Sequence, residues 1–132
     1  MSQTALNSEA RILALKAMGY ADREAPFLSL AALASGYFLR RQYCQFLGKE
    51  IGGTAAALVE KVLQKKHAVV LMGNHNTKVY HLASRPLYAA LGQEDNRNRR
   101  SREPLAIQRR LMILDFILDH LSHVYLTTEQ DK

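Results

Sequence analysis

The stretch that decides the fold runs from Phe38 to Leu82: FLRRQYCQFL (38–47), GKEIGG (48–53), TAAALVEKVLQKKH (54–67) and AVVLMGNHNTKVYHL (68–82). Leu39, Tyr43, Phe46 and Leu47 recur at i, i+4, i+7 and i+8, which predicts a helix over 39–47. Three glycines around Ile51 then predict a turn, because glycine takes positive φ without steric cost. Ile51 is spaced to plug the angle between two helices. Ala55, Leu58, Val59, Val62 and Leu63 line one side of a second helix from Thr54, its cap, to Lys66. The period then changes to that of strands. Ala68–Met72 and Lys78–Leu82 flank the turn-forming run Gly73-Asn74-His75-Asn76-Thr77, a β-hairpin pattern. Two strands alone are marginal, so the hairpin must pack on the helices.

Upstream, Ser8 can cap a helix over Glu9–Met18, which Gly19 ends. Asp22 is the candidate cap of a buried, Ala- and Leu-rich helix from Arg23 to Ser35. Pro26 lies near its first turn, where a missing N–H costs least, and Gly36 stops it. Downstream, Arg85–Leu91 forms one or two helical turns. The run QEDNRNRRSRE (93–103) has no aliphatic residue and reads as a basic linker. Pro104 opens a long last helix. Along it Ile107, Leu111, Leu114, Leu118, Leu121 and Tyr125 are spaced 4, 3, 4, 3 and 4. A second stripe, Ile113, Ile117, His120 and Val124, lies beside it. One stripe suffices to dock the helix on its own domain, which leaves the other for a second copy. Ile107, Leu111, Leu114, Leu118 and Leu121 are the candidate dimerisation residues. The expected organisation is mainly α with a small β-hairpin: a domain over 1–92, the linker 93–103, and a dimerisation helix over 104–132.

The chain has 132 residues, enough for one domain with its own core. Its apolar runs are far too short to span a membrane, and no secretory pattern opens the sequence. One cysteine, Cys44, excludes an intrachain disulfide and makes a reducing cytoplasm the expected compartment. Cys44 lies on the apolar side of its helix, as an inert core thiol would. The ending TTEQDK is abrupt, compatible with a longer natural chain.

Net charge is +6. Such a balance serves solubility as readily as it attracts a polyanion, so its distribution decides. Between Arg40 and Lys66 six cations face two acids and leave +4, most of the chain's total. Clustered cations gain by releasing phosphate counterions, which points to double-stranded DNA. Arg40, Arg41, Lys49, Thr54, Lys61 and Lys65 are the candidates for holding phosphates or reading bases. His75 and Lys78 would serve at the hairpin tip, although glycine and asparagine are what any solvated turn uses. Gly52, Gly53 and Thr54 offer free N–H groups at a helix start. Glu60 lies mid-face, where a phosphate would repel it, so only the first turn and a half of that helix is expected to enter a groove. Arg97, Arg99, Arg100 and Arg102 read equally as a basic arm on phosphates or as a solvated linker partly neutralised by Glu94, Asp95 and Glu103.

This order of elements resembles the winged helix-turn-helix superfamily. RRQYCQFLG corresponds to the first helix, KEIGG to the turn, TAAALVEKVLQKKHA to the recognition helix and VVLMGNHNTKVYHL to the wing. The resemblance covers roughly Ser8 to Leu82 and rests on patterning, without a diagnostic motif. With a trailing dimerisation helix it is similar to small bacterial regulators of the MarR and PadR kind, and to the N-terminal domains of plasmid replication-relaxation proteins. The resemblance implies a homodimeric DNA-binding regulator. Two helices before the motif, where a minimal winged helix has one, are a departure.

Catalytic chemistry finds little support. No glycine-rich phosphate loop follows a strand, and GNHNTK lacks a second glycine. His67, His75, His81, His120 and His123 match no zinc-ligand spacing, and there is no cysteine pair. No nucleophile setting is recognisable. The expectation is a protein that is not an enzyme and carries no cofactor or metal. The competing expectations are a protein–protein adaptor and a replication or mobilisation accessory protein.

Overall fold

The computed structural model describes residues 8–48, 53–72 and 77–130, with the side chains of 8, 53, 54 and 121–130 excepted. The chain is mainly helical with a small three-stranded antiparallel sheet. Its elements are α1 (Ser8–Ala17), α2 (Glu24–Ala34), β1 (Tyr37–Phe38), α3 (Arg40–Leu47), α4 (Gly53–Gln64), β2 (Ala68–Met72), β3 (Lys78–Leu82), α5 (Arg85–Ala90) and α6 (Pro104–Gln130). A 3₁₀ turn covers Arg97–Arg99.

The sheet order is β1-β3-β2. The expected hairpin is present, with Val70 opposite Tyr80 and Met72 opposite Lys78. The additional strand, β1, pairs Tyr37 with His81 and Phe38 with Tyr80. Two residues wedged between a helix stop and a helix start carry no period, so the sequence alone gives them no strand signal. Their aromatic rings explain the pairing. Tyr37 stacks on His81 with centroids 4.1 Å apart, and Phe38 stacks on Tyr80 at 5.4 Å.

The core lies where α2, α3 and the sheet converge. Ala25, Phe27, Leu28, Ala31 and Ala32 of α2 are all buried. Phe27 meets Phe38 edge-on and touches the rings of Tyr43 and Phe46, a cluster that locks α2 against α3. Such aromatic pairs add roughly 0.5–1.5 kcal/mol each beyond the area they bury. Leu58, Val59 and Val62 carry α4 into the same core.

Asp22 does not cap α2. The cap position is Arg23, without a side-chain bond. Asp22 instead pairs with Lys16 at the surface, while Glu24 reaches back to accept from the Ala21 N–H at 2.8 Å.

The segment 93–103 is not a solvated linker. Asn98 is buried, and its Nδ2 donates to the carbonyls of Ala32 and Leu33, both at 3.0 Å. These carbonyls fall in the last turn of α2, where no intrahelical N–H reaches them. The backbone oxygen of Asn98 accepts from His81 Nε2 at 3.0 Å, and Arg110 contacts Asn98 Oδ1. Gly36 makes this docking possible. Its φ is +88°, and a Cβ there would lie 2.5 Å from the Asn98 carbonyl oxygen.

The inward side of α6 joins the core through Leu114 and Leu118, 0% and 3% exposed. These two positions of the expected dimer seam are therefore occupied by the chain's own domain, because α6 must bury one stripe to dock at all. Ile107 and Leu111, on the same side, are half-buried, and the side chain of Leu121 lies outside the described residues. The opposite side exposes Leu105 (60%), Met112 (65%) and Phe116 (73%), a stripe distinct from both sequence-derived ones.

Candidate nucleic-acid interface

The helix pair α3–α4, its connection and the β2–β3 hairpin carry most of the sequence-derived candidates. α3 begins after Leu39, whose N–H donates to the side chain of Gln42 at 2.8 Å, and ends in a left-handed cap at Gly48. Lys49, the side chain of Thr54, His75 and the hairpin tip lie outside the described residues.

The described candidates divide by partner. Arg40 at the start of α3 and Lys78 at the start of β3 are exposed, with no ion pair among the described residues. Arg41 makes a two-pronged contact with Asp115 of α6, at 2.8 and 2.9 Å. That bond holds the Asp115 carboxyl below the usual carboxylate range, assisted by Gln42 Nε2 at 3.0 Å. It also raises the Arg41 guanidinium. Gln42 is fully buried and donates as well to the Leu111 carbonyl, so α3 and α6 share one polar joint.

Lys61 Nζ lies 2.6 Å from Glu24 Oε1 and donates to the Gly19 carbonyl at 3.3 Å. Both Lys61 and Lys65 also sit over the ring of Tyr20, at 5.7 and 5.9 Å from its centroid. Tyr20 in turn hydrogen-bonds His67 Nδ1 at 2.5 Å. Burial, followed by the Glu24 charge, pushes the Tyr20 hydroxyl up, so it stays a donor to that nitrogen. Burial pushes the His67 imidazole down, with the Lys65 charge acting the same way. Lys61 and Lys65 thus buttress the corner between α1, α2 and α4. The pattern of a solvated helix face conceals this, because Glu24 is 37 positions away in sequence.

The outward side of α4 consists of Ala57, Glu60 and Gln64, all exposed. Two of these are small or neutral, which lets a backbone approach closely, while Glu60 keeps an acid on that side. β2 exposes four apolar side chains in succession, Val69 to Met72. The last two of them, Leu71 and Met72, border with Val79, Leu105, Ile107 and Leu111 a groove of about 810 Å³ between the hairpin and the first turns of α6. Sequence reasoning did not reach this groove, since its two walls come from elements separated by 22 residues and more, Leu82 to Pro104 being the shortest gap.

Among the described residues no three His, Cys, Asp or Glu side chains converge as a metal site would require, and no helix is long and apolar enough to cross a membrane. No known protein family, no curated protein and no solved structure matches the chain.

Proposed function

We propose that this chain is a DNA-binding protein of winged helix-turn-helix design, acting as a homodimeric transcriptional regulator. The observation that carries the reading is topological. A helix, a short strand, two helices and a hairpin follow one another, and the short strand joins the sheet in the order β1-β3-β2. In that design α4 is the recognition helix, β2–β3 is the wing and β1 anchors the wing to the helices. Recognition of duplex DNA by a helix in the major groove requires a slim outer side flanked by phosphate-binding cations. Ala57 and Gln64 supply the former. Arg40, Lys49 and Lys78 supply the latter, while Arg41 and Lys61 position the elements through Asp115 and Glu24. Selection of bound sequences from a random duplex pool tests the reading. The expected result is enrichment of a two-fold-symmetric site. Recovery of no sequence above background would remove it.

A second reading is a protein–protein adaptor on the same scaffold. It is favoured by the exposed apolar run Val69–Met72 on an edge strand, a surface that phosphates do not require. If Leu71→Lys abolishes function while Arg40→Ala and Lys78→Ala leave it intact, the adaptor reading stands and the regulator reading falls.

A further inference from the structure

The outer side of α6 is exposed along its described length, and Leu105, in its first turn, also borders the groove to the hairpin. Leu105, Arg109, Met112, Phe116 and Asp119 follow one another at spacings of 4, 3, 4 and 3, and all are exposed. Three large apolar side chains at 60–73% exposure lie in one line with the spacing of a helix–helix seam, beyond what isolated surface hydrophobics explain. The seam is electrically polar along its length. Arg109 stands on the N-terminal side of the Met112–Phe116 pair and Asp119 on the C-terminal side. Neither has an ion-pair partner among the described residues, and the neighbouring acid Asp115 is already bound to Arg41.

We propose that α6 pairs with α6 of a second copy in antiparallel orientation, with the two-fold axis passing at the level of Leu114. This deepens the homodimer part of the reading above and rests on it. In this register Met112 meets Phe116 of the partner subunit, and Phe116 meets Met112 of the partner subunit. Arg109 faces Asp119 of the partner subunit, and the reciprocal pair forms by symmetry, as an isologous interface requires. Parallel in-register pairing brings Arg109 against its own copy and Asp119 against its own copy, two like-charge contacts. A second copy therefore fits both the apolar line and its charge polarity. Leu114 and Leu118 remain in each subunit's own core, so the pairing costs no internal contact.

The experiment uses the full chain without DNA, so its outcome is independent of whether the protein binds DNA. Sedimentation of the unmodified chain shows a dimer, and Phe116→Glu raises the dimer dissociation constant by about thirtyfold or more, as loss of a central aromatic anchor does. Met112 and Phe116 are exposed in the subunit, so the monomer of each variant keeps its circular dichroism. For orientation, Met112→Cys and Phe116→Cys proteins are mixed under mild oxidation. The mixed pair forms a disulfide-linked dimer several times faster than either variant alone. A chain that sediments as a monomer, a dimer untouched by Phe116→Glu, or faster coupling of Met112→Cys with itself overturns the proposal.

Discussion

Lys61 Nζ and Glu24 Oε1 lie 2.6 Å apart, joining the outer edge of α4 to the start of α2. Glu24 is buried, while Lys61 is partly exposed. A carboxylate in that position is costly unless it is paired and hydrogen-bonded. The two bonds it accepts, from Lys61 and from the Ala21 N–H, account for its presence there. The lysine's first task is therefore to hold the fold.

Lys61→Ala accordingly destabilises the domain by about 1–3 kcal/mol, because it strips a buried acceptor of its charged donor. Lys61→Met with Glu24→Gln recovers part of that loss by removing the buried charge along with its partner. Denaturant unfolding of the parent and these two variants checks this. A Lys61→Ala protein as stable as the parent would mean that the pair contributes nothing, and that the lysine is available to phosphates.

The joint between α3 and α6 responds to acid in a defined direction. Hydrogen bonds from Arg41 and Gln42 hold the Asp115 carboxyl below its ordinary value. Its contribution is thus complete above about pH 4, the unfolded-state value, and is lost as pH falls through the lower native value. The side chains of Arg41 and Asp115 are 50% and 35% exposed, so screening limits the effect. Asp115→Asn costs about 0.5–1 kcal/mol, measured by thermal unfolding at neutral pH. The difference between variant and parent disappears in strong acid.

Two buried imidazoles set a second pH window. Burial lowers His81 despite the opposing bond it donates to the Asn98 carbonyl, and burial with the Lys65 charge lowers His67. The unfolded chain therefore binds protons that the folded chain resists. Stability is complete above about pH 6.5 and declines as pH falls toward the depressed native values. His67→Gln and His81→Gln each flatten that decline, while lowering stability at neutral pH through the bonds they lose to Tyr20 and Asn98. Unfolding midpoints followed from about pH 7.5 to about pH 5 test this. A parent protein insensitive to pH across that range contradicts the assignment.

Much of the fold is legible in the sequence because its elements have clean periods. The stripe Ala55, Leu58, Val59, Val62 and Leu63 marks α4 with an unambiguous buried side, and the β-branched and apolar runs on either side of Gly73–Thr77 mark both hairpin strands to the residue. The illegible parts are set by tertiary contacts. β1 is two residues long and exists because Tyr37 and Phe38 find His81 and Tyr80. The 93–103 segment has a linker's composition, yet one asparagine docks it by satisfying carbonyls that α2 leaves open. On α6 the heptad spacing marks a seam that the sequence assigns to a dimer, yet Leu114 and Leu118 go to the chain's own core, because spacing alone does not say which surface a stripe packs on. The charges show the same division. Local sequence reveals a cluster of cations between Arg40 and Lys66. Only the three-dimensional arrangement separates Arg40, which has no ion pair among the described residues, from Arg41 and Lys61, which are committed to Asp115 and Glu24.

The central claim, that the α3–α4 pair and the hairpin grip duplex DNA, is tested most directly by the salt dependence of binding. Fluorescence anisotropy of a labelled duplex is measured across a series of salt concentrations with the parent chain and with an Arg40→Ala, Lys49→Ala, Lys78→Ala triple variant. Three phosphate contacts per subunit in a dimer predict a slope of log K against log salt of about −5, flattening toward zero in the variant. Absent binding, or a parent slope near zero and equal to that of the variant, would contradict the account.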